Sequence, residues 1–173
     1  FEDAIFAYEN LAAKNPKDAN VYYNLGITYF KAGMLNDAIS ALKKVFKLKP
    51  DHLKAHYNLG VIYLKKNKLR KSIDEFQAAL KTDPGYAKAY VNMGVAHYRK
   101  GLPDEAILAY NRAIEIKPDY AEAYYNSSFA YLKKGLIEDA INMLKKGIGL
   151  NPDSGLLYFL LGNAYSDQGL LDD

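Results

Sequence analysis

The chain has 3 histidines, and two of them, His52 and His56, stand four residues apart. On a helix that spacing puts both imidazoles on one face, where they could hold a metal ion such as zinc. No carboxylate lies between them to act as a general base, and the chain has no cysteine. A thiolate metal site and a cysteine nucleophile are therefore both excluded. The glycines do not form a phosphate-cradling loop after a strand-like run. Asn126-Ser127-Ser128 spells a glycosylation sequon, but it falls inside a helical pattern, which argues against its use. The residues thus predict a non-catalytic protein with no metal site and no cofactor. His56 and His97 read as packing residues, for the reason given by their spacing below.

Of the 173 residues, 50% are hydrophobic, 13% aromatic and 25% charged, the balance of a folded protein with a sizeable core. A net charge of +3 against 23 basic and 20 acidic side chains lacks the basic excess of a nucleic-acid binder. The longest apolar stretch, Leu156 to Leu161, is too short to cross a bilayer, so no membrane insertion is expected. The lack of cysteine fits a reducing compartment and slightly favours the cytoplasm. The chain opens on Phe1 rather than Met, so native sequence ahead of it is expected.

What must position these residues is a repeat. Pro16, Pro50, Pro84, Pro118 and Pro152 are each 34 residues apart, and only Pro103 stands outside that ladder. Gly26, Gly60, Gly94 and Gly162 keep the same step, with Ser128 in the gap. Tyr22, His56, Tyr90, Tyr124 and Tyr158 form a third column, and Tyr29, Tyr63, His97, Tyr131 and Tyr165 a fourth. Ala4, Ala38, Ser72, Ala106 and Ala140 form a fifth. Tyr22, Leu25, Gly26 and Tyr29 lie at i, i+3, i+4 and i+7, one face of a helix. Ala38, Leu42 and Val45 mark one face of a second helix. The small residues allow the two helix axes to approach closely. Gly33, Asn67, Gly101, Gly135 and Gly169 separate the two helices, and Gly and Asn are the residues that best tolerate a left-handed helix end. Pro103 suits the first turn of a second helix, and each ladder proline stops one. Asp18, Asp51, Asp119 and Asp153 are expected to cap the helices that follow.

The order aromatic-x2-Leu-Gly-x2-Tyr, then Ala-x3-aromatic, then Pro, reads here as Tyr22, Leu25, Gly26, Tyr29, Ala38, Leu42 and Pro50. At a 34-residue period it resembles the tetratricopeptide repeat. The resemblance covers the whole chain as one array. Residues 19–52, 53–86, 87–120 and 121–154 are complete repeats, 1–18 a second half and 155–173 a first half. It implies an all-α fold, a right-handed α-solenoid of stacked antiparallel helix hairpins.

In that family the inner wall of the groove is formed by first helices. By resemblance one inner column is Asn24, Asn58, Asn92 and Asn126, a ladder of amides able to grip a peptide backbone. Ile27, Val61, Val95 and Phe129 form a second. Beside it run Tyr23, Tyr57, Val91 and Tyr125, then Phe30, Leu64, Tyr98 and Leu132. Together they predict an apolar stripe flanked by Lys31, Lys65, Arg99 and Lys133, the surface of a binding site. The basic residue and the asparagine that chaperone-tail-binding members use are absent from the Tyr23 and Ile27 columns of one repeat, so that ligand is not expected.

The expected function is an interaction scaffold holding a partner polypeptide with apolar and in part acidic side chains. One alternative is a substrate-presenting arm of a larger, glycosyltransferase-like enzyme. Another is a structural protein that assembles through repeat stacking. Two further expectations follow from the pattern. The repeat 121–154 should be the weakest, since Ser127 stands where Leu25 and Leu59 stand, and Gly147 where Ala79 and Ala113 stand. The two half-repeats are complementary, with Phe1-Glu2-Asp3 in phase with Leu171-Asp172-Asp173, so copies are expected to stack head to tail.

Overall fold

The computed structural model describes residues 1–169 as ten α-helices, with no strand among the described residues. In chain order they are α1 (Glu2–Lys14), α2 (Ala19–Lys31), α3 (Leu35–Leu48), α4 (Leu53–Lys65) and α5 (Leu69–Thr82). They continue as α6 (Ala87–Arg99), α7 (Pro103–Ile116), α8 (Ala121–Lys133), α9 (Ile137–Leu150) and α10 (Gly155–Gln168). The all-α helical-repeat fold follows from the pattern. The helices pack as two compact units, the first ending at Pro84 and the second beginning at Gly85. In the first, α2 pairs with α3 and α4 with α5; in the second, α6 pairs with α7 and α8 with α9.

The turn inside each hairpin is the same one repeated. Asn67 has φ of 54°, and Gly33, Gly101 and Gly135 lie between 73° and 82°. That left-handed residue lets the next backbone N–H reach back over the helix end. Met34, Lys68, Leu102 and Leu136 donate to the carbonyls of Tyr29, Tyr63, His97 and Tyr131 at 2.8–3.0 Å. These bonds satisfy carbonyls that the helix end would otherwise leave without a donor. Second helices stop differently. Lys49, just before Pro50, is extended at φ −144° and ψ 87°, the region to which a following proline confines it. Pro103 sits at the start of α7, as its missing N–H allows.

Of the four aspartates predicted as caps, Asp18 caps and the other three stand one residue too early. Asp18 caps α2, accepting from the N–H of Asn20 at 2.8 Å. In that column the later N-caps are His52, Tyr86, Tyr120 and Ser154, so Asp51, Asp119 and Asp153 lie one residue too early. His52 Nδ1 takes the Ala55 N–H at 3.2 Å, and Ser154 takes that of Leu157.

Hairpin packing explains the glycine column. A Cβ built on Gly26 would lie 2.9 Å from Leu42 Cγ, on Gly60 2.6 Å from Phe76 Cε1, and on Gly94 2.5 Å from Tyr110 Cε1. No real Cβ contact is that short, so the facing side chain occupies the space a larger residue needs. Ser72 replaces the column alanine without loss because its buried hydroxyl donates to the Gly60 carbonyl at 2.8 Å.

One histidine serves this packing. His56 stacks on Phe46 with centroids 4.2 Å apart. Its Nδ1 is 2.7 Å from Glu75 Oε2 and its Nε2 is 2.8 Å from the Pro50 carbonyl. Tyr124, in the same column, donates to Pro118 O at 3.0 Å, so this column ties a first helix to the proline turn before it. Burial pulls the pKa of His56 down, but the Glu75 carboxylate and the Pro50 carbonyl outweigh it and hold the imidazole above its ordinary 6.5. A raised histidine value stabilises the fold fully below the unfolded pKa, and that contribution is lost as pH rises through the folded one. The stability of wild type relative to His56→Tyr should therefore fall as pH is raised from about 6 to about 8.5. Paired thermal melts across that range measure it; a constant difference would show that the histidine has the same pKa folded as unfolded.

Candidate functional site

The first helices carry a face that the hairpin cores do not consume. Ile27, Val61, Val95 and Phe129 are all half-buried, as are Tyr23, Tyr57 and Tyr125. Asn24 is exposed, while Asn58, Asn92 and Asn126 are half-buried. Lys31, Lys65 and Arg99 are exposed at the helix ends. Two stripe positions are not surface. Val91 is 0% exposed and Leu64 7%, so both belong to the core and interrupt the apolar stripe.

In the first unit, α2 and α4 are joined along this face by side chains from matching columns. The Tyr23 ring stacks on His52 at 5.0 Å and 26°, and Asn58 Nδ2 donates to the Tyr23 hydroxyl at 3.1 Å. Lys65 Nζ lies 5.8 Å from the centroid of Phe30. The second unit repeats the last contact, with Lys133 Nζ 4.9 Å from the Tyr98 centroid. Tyr125 and Phe129 meet edge to face at 5.0 Å. Two of the predicted flanking cations thus lie over aromatic faces. Tyr57 turns partly inward, its ring 5.9 Å from Phe76.

The asparagine column offers less than a full donor and acceptor pair. Asn58 Nδ2 also donates to Lys54 O at 2.7 Å, so both of its amide hydrogens are committed and Oδ1 is what it presents outward. Asn92 Nδ2 likewise donates to Lys88 O at 3.1 Å, the carbonyl one turn back on its own helix.

Two clefts open on this face, one in each unit. The first, about 600 Å³, is lined by Asn20, Tyr23 and Asn24 of α2, by Lys49, Asp51, His52, Leu53 and Lys54 across the turn into α4, and by Thr82. The second, about 290 Å³, is bordered by Tyr125 with Leu156 and Leu157. Tyr23, Asn24 and Tyr125 of the predicted groove line these clefts; Lys49, Lys54 and Leu157 line them too and are not among the predicted residues. Charge partition carries a signal for the lysines. Residues 1–84 hold 14 basic and 9 acidic side chains, net +5, and residues 85–173 hold 9 and 11, net −2.

Among the described residues, neither the histidine pair nor any other cluster assembles as a metal site. His52 Nδ1 and both nitrogens of His56 are engaged, and among the described residues no three His, Cys, Asp or Glu side chains converge. Among those residues no helix is long and apolar enough to cross a membrane. For the stacking of copies, Phe1 and Phe6 on the α1 side are 71% and 68% exposed, and Leu156 and Phe159 on α10 are 53% and 65%. Leu171-Asp172-Asp173, whose phase that expectation uses, lie outside the described residues.

Comparison with known proteins bears on the repeat directly. Residues 57–121 and 98–158 match two family models described as tetratricopeptide repeat, and 1–79 match one described as anaphase-promoting complex, cyclosome, subunit 3. Among solved structures the chain is similar to MamA protein, with 34% identity and a TM-score of 0.81 over 86% of this chain and 81% of that one. It is also similar to MamA (41-end) from Desulfovibrio magneticus RS-1, at 23% identity and TM-score 0.83 over 89% and 87%. YrrB, described as a TPR protein with an unusual peptide-binding site, shares the fold at 19% identity and TM-score 0.80, over 95% and 85%. Curated proteins give no match.

Proposed function

Because the chain belongs to the tetratricopeptide-repeat family, whose members act as protein-interaction scaffolds, we propose that it binds a partner polypeptide on the faces of its first helices. One observation carries this reading. The same register on α2, α4, α6 and α8 holds a half-buried apolar side chain at Ile27, Val61, Val95 and Phe129, three residues after an asparagine. An apolar side chain left half-open beside an amide gives an extended segment both a pocket for a side chain and a partner for its backbone. YrrB, with its peptide-binding site on the same fold, is consistent with this use.

A polypeptide selected from a displayed peptide library gives the test. Val61→Glu in the first unit and Val95→Glu in the second, made singly and together, should weaken its binding at least tenfold, or about 1.4 kcal/mol. Helical content and melting should stay close to wild type, because these side chains are half-buried at the edge of the packing rather than within it. If the variants unfold instead, the column is packing and this reading fails. Association of copies through α1 and α10 is a second reading, favoured by the exposed rings of Phe1, Phe6 and Phe159.

A further inference from the structure

The cleft of the first unit differs from the rest of the face in what it offers a ligand. Its charged side chains are two lysines and one aspartate. Tyr23 accepts from Asn58, so its own hydroxyl hydrogen is directed elsewhere. His52 accepts the Ala55 N–H at Nδ1, which places its ring proton on Nε2. Asn20 and Asn24 contribute carboxamides, and Lys49 and Lys54 contribute exposed ammonium groups that no carboxylate pairs among the described residues. Against these stands a single carboxylate, Asp51. Two unpaired ammonium groups beside the Tyr23 hydroxyl and the His52 Nε2–H suit a ligand rich in anionic acceptors. The charge of the unit points the same way, since residues 1–84 carry net +5 from 14 basic and 9 acidic side chains.

We propose that this cleft, between α2 and the start of α4, binds a polypeptide segment through its aspartate or glutamate side chains, the carboxylates seated on Lys49 and Lys54. This rests on the reading of the first-helix face as polypeptide-binding and assigns the acidic part of that partner to the first unit. The apolar contribution comes from the Tyr23–His52 stack and Leu53, which line the cleft beside the lysines. A segment alternating acidic and apolar residues matches that surface. The contact is made by side-chain carboxylates, so it does not need a chain terminus.

The probe is an acetylated and amidated peptide of about eight residues alternating Glu and Leu, compared with one carrying Gln for Glu. Amide chemical shifts of the labelled full chain report where each binds. The Glu peptide should move Asn20, Asn24 and Lys54 and bind about tenfold more tightly than the Gln peptide at low salt, an advantage that shrinks as salt rises. Lys49→Gln with Lys54→Gln should erase the advantage; both lysines are exposed, and circular dichroism checks that the fold is kept. Equal binding of the two peptides, no binding of the Glu peptide, or an advantage that survives in the double variant would each overturn the proposal. So would an oligothymidylate of similar length that binds more tightly than the Glu peptide, since that assigns the lysines to phosphate. If the two peptides bind equally and Val61→Glu weakens both, only the acidic assignment fails. If Val61→Glu leaves a library-selected partner unaffected, the underlying reading fails as well.

Discussion

Gly94→Ala should destabilise the second unit by about 2 kcal/mol, although alanine is the better helix former by about 1 kcal/mol. The added methyl would sit 2.5 Å from Tyr110 Cε1 and 2.8 Å from Cδ1, well inside van der Waals contact. Tyr110 cannot yield, because it is 1% exposed and packed among Val91, Ala106, Ala113 and Ala123. Either the ring leaves its rotamer or α6 and α7 separate, and each route disturbs the whole cluster. The chain itself indicates the remedy. Where Ser128 replaces the glycine, the residue at the register position of Tyr110 is Leu144. Tyr110→Leu should therefore reduce the cost of Gly94→Ala, with a coupling of about 1 kcal/mol in a double-mutant cycle. Chemical denaturation of the four proteins measures it. Additive costs would mean that the ring and the methyl do not compete for the same space.

That pair illustrates which features the sequence made legible. Glycine opposite a large side chain, a left-handed residue between helices and a proline after each hairpin all recur at 34 residues, so each could be read from its column. The left-handed position is the clearest, since Asn67, the one non-glycine there, has φ of 54°. Features that depend on rotation within a column were not legible. The aspartates at 51, 119 and 153 look like caps because of their type, but Pro50 and its equivalents fix the chain so that the cap falls one residue later, on whatever side chain occupies it. Val91 and Leu64 share columns with half-buried residues, Leu132 among them, so residue type within the column does not mark them as core. The lysines of the first cleft come from a turn and the beginning of a helix, so no helical face groups them. Their cleft exists only once α2 and α4 are docked side by side.

The repeat that departs from its columns should also be the easiest to strengthen. Ser127 is 0% exposed and its hydroxyl has no hydrogen-bond partner, whereas Ser72, equally buried, donates to Gly60 O. An unpaired hydroxyl removed from water costs about 1–3 kcal/mol, so Ser127→Ala should stabilise, while Ser72→Ala should destabilise by about 1 kcal/mol. Gly147 is buried in the last turn of α9, and a Cβ there would lie 3.5 Å from Leu157 Cδ1 and 3.7 Å from Tyr124 Cβ. Those are ordinary contacts, the opposite of Gly94, so alanine gains helix propensity and packing together, about 1 kcal/mol. The two changes are on facing helices of one hairpin, and together should add about 2–4 kcal/mol. Repeat proteins distribute stability locally, so the effect belongs to 121–154 before it appears in a global melt. In native-state hydrogen exchange, amides of α8 and α9 should be the least protected among α2 to α9 in wild type. The double variant should raise their protection selectively, leaving α2 to α5 unchanged. If α8 and α9 are already the best protected, or if Ser127→Ala destabilises as Ser72→Ala does, the hydroxyl is satisfied in solution and this account of the weak repeat is wrong.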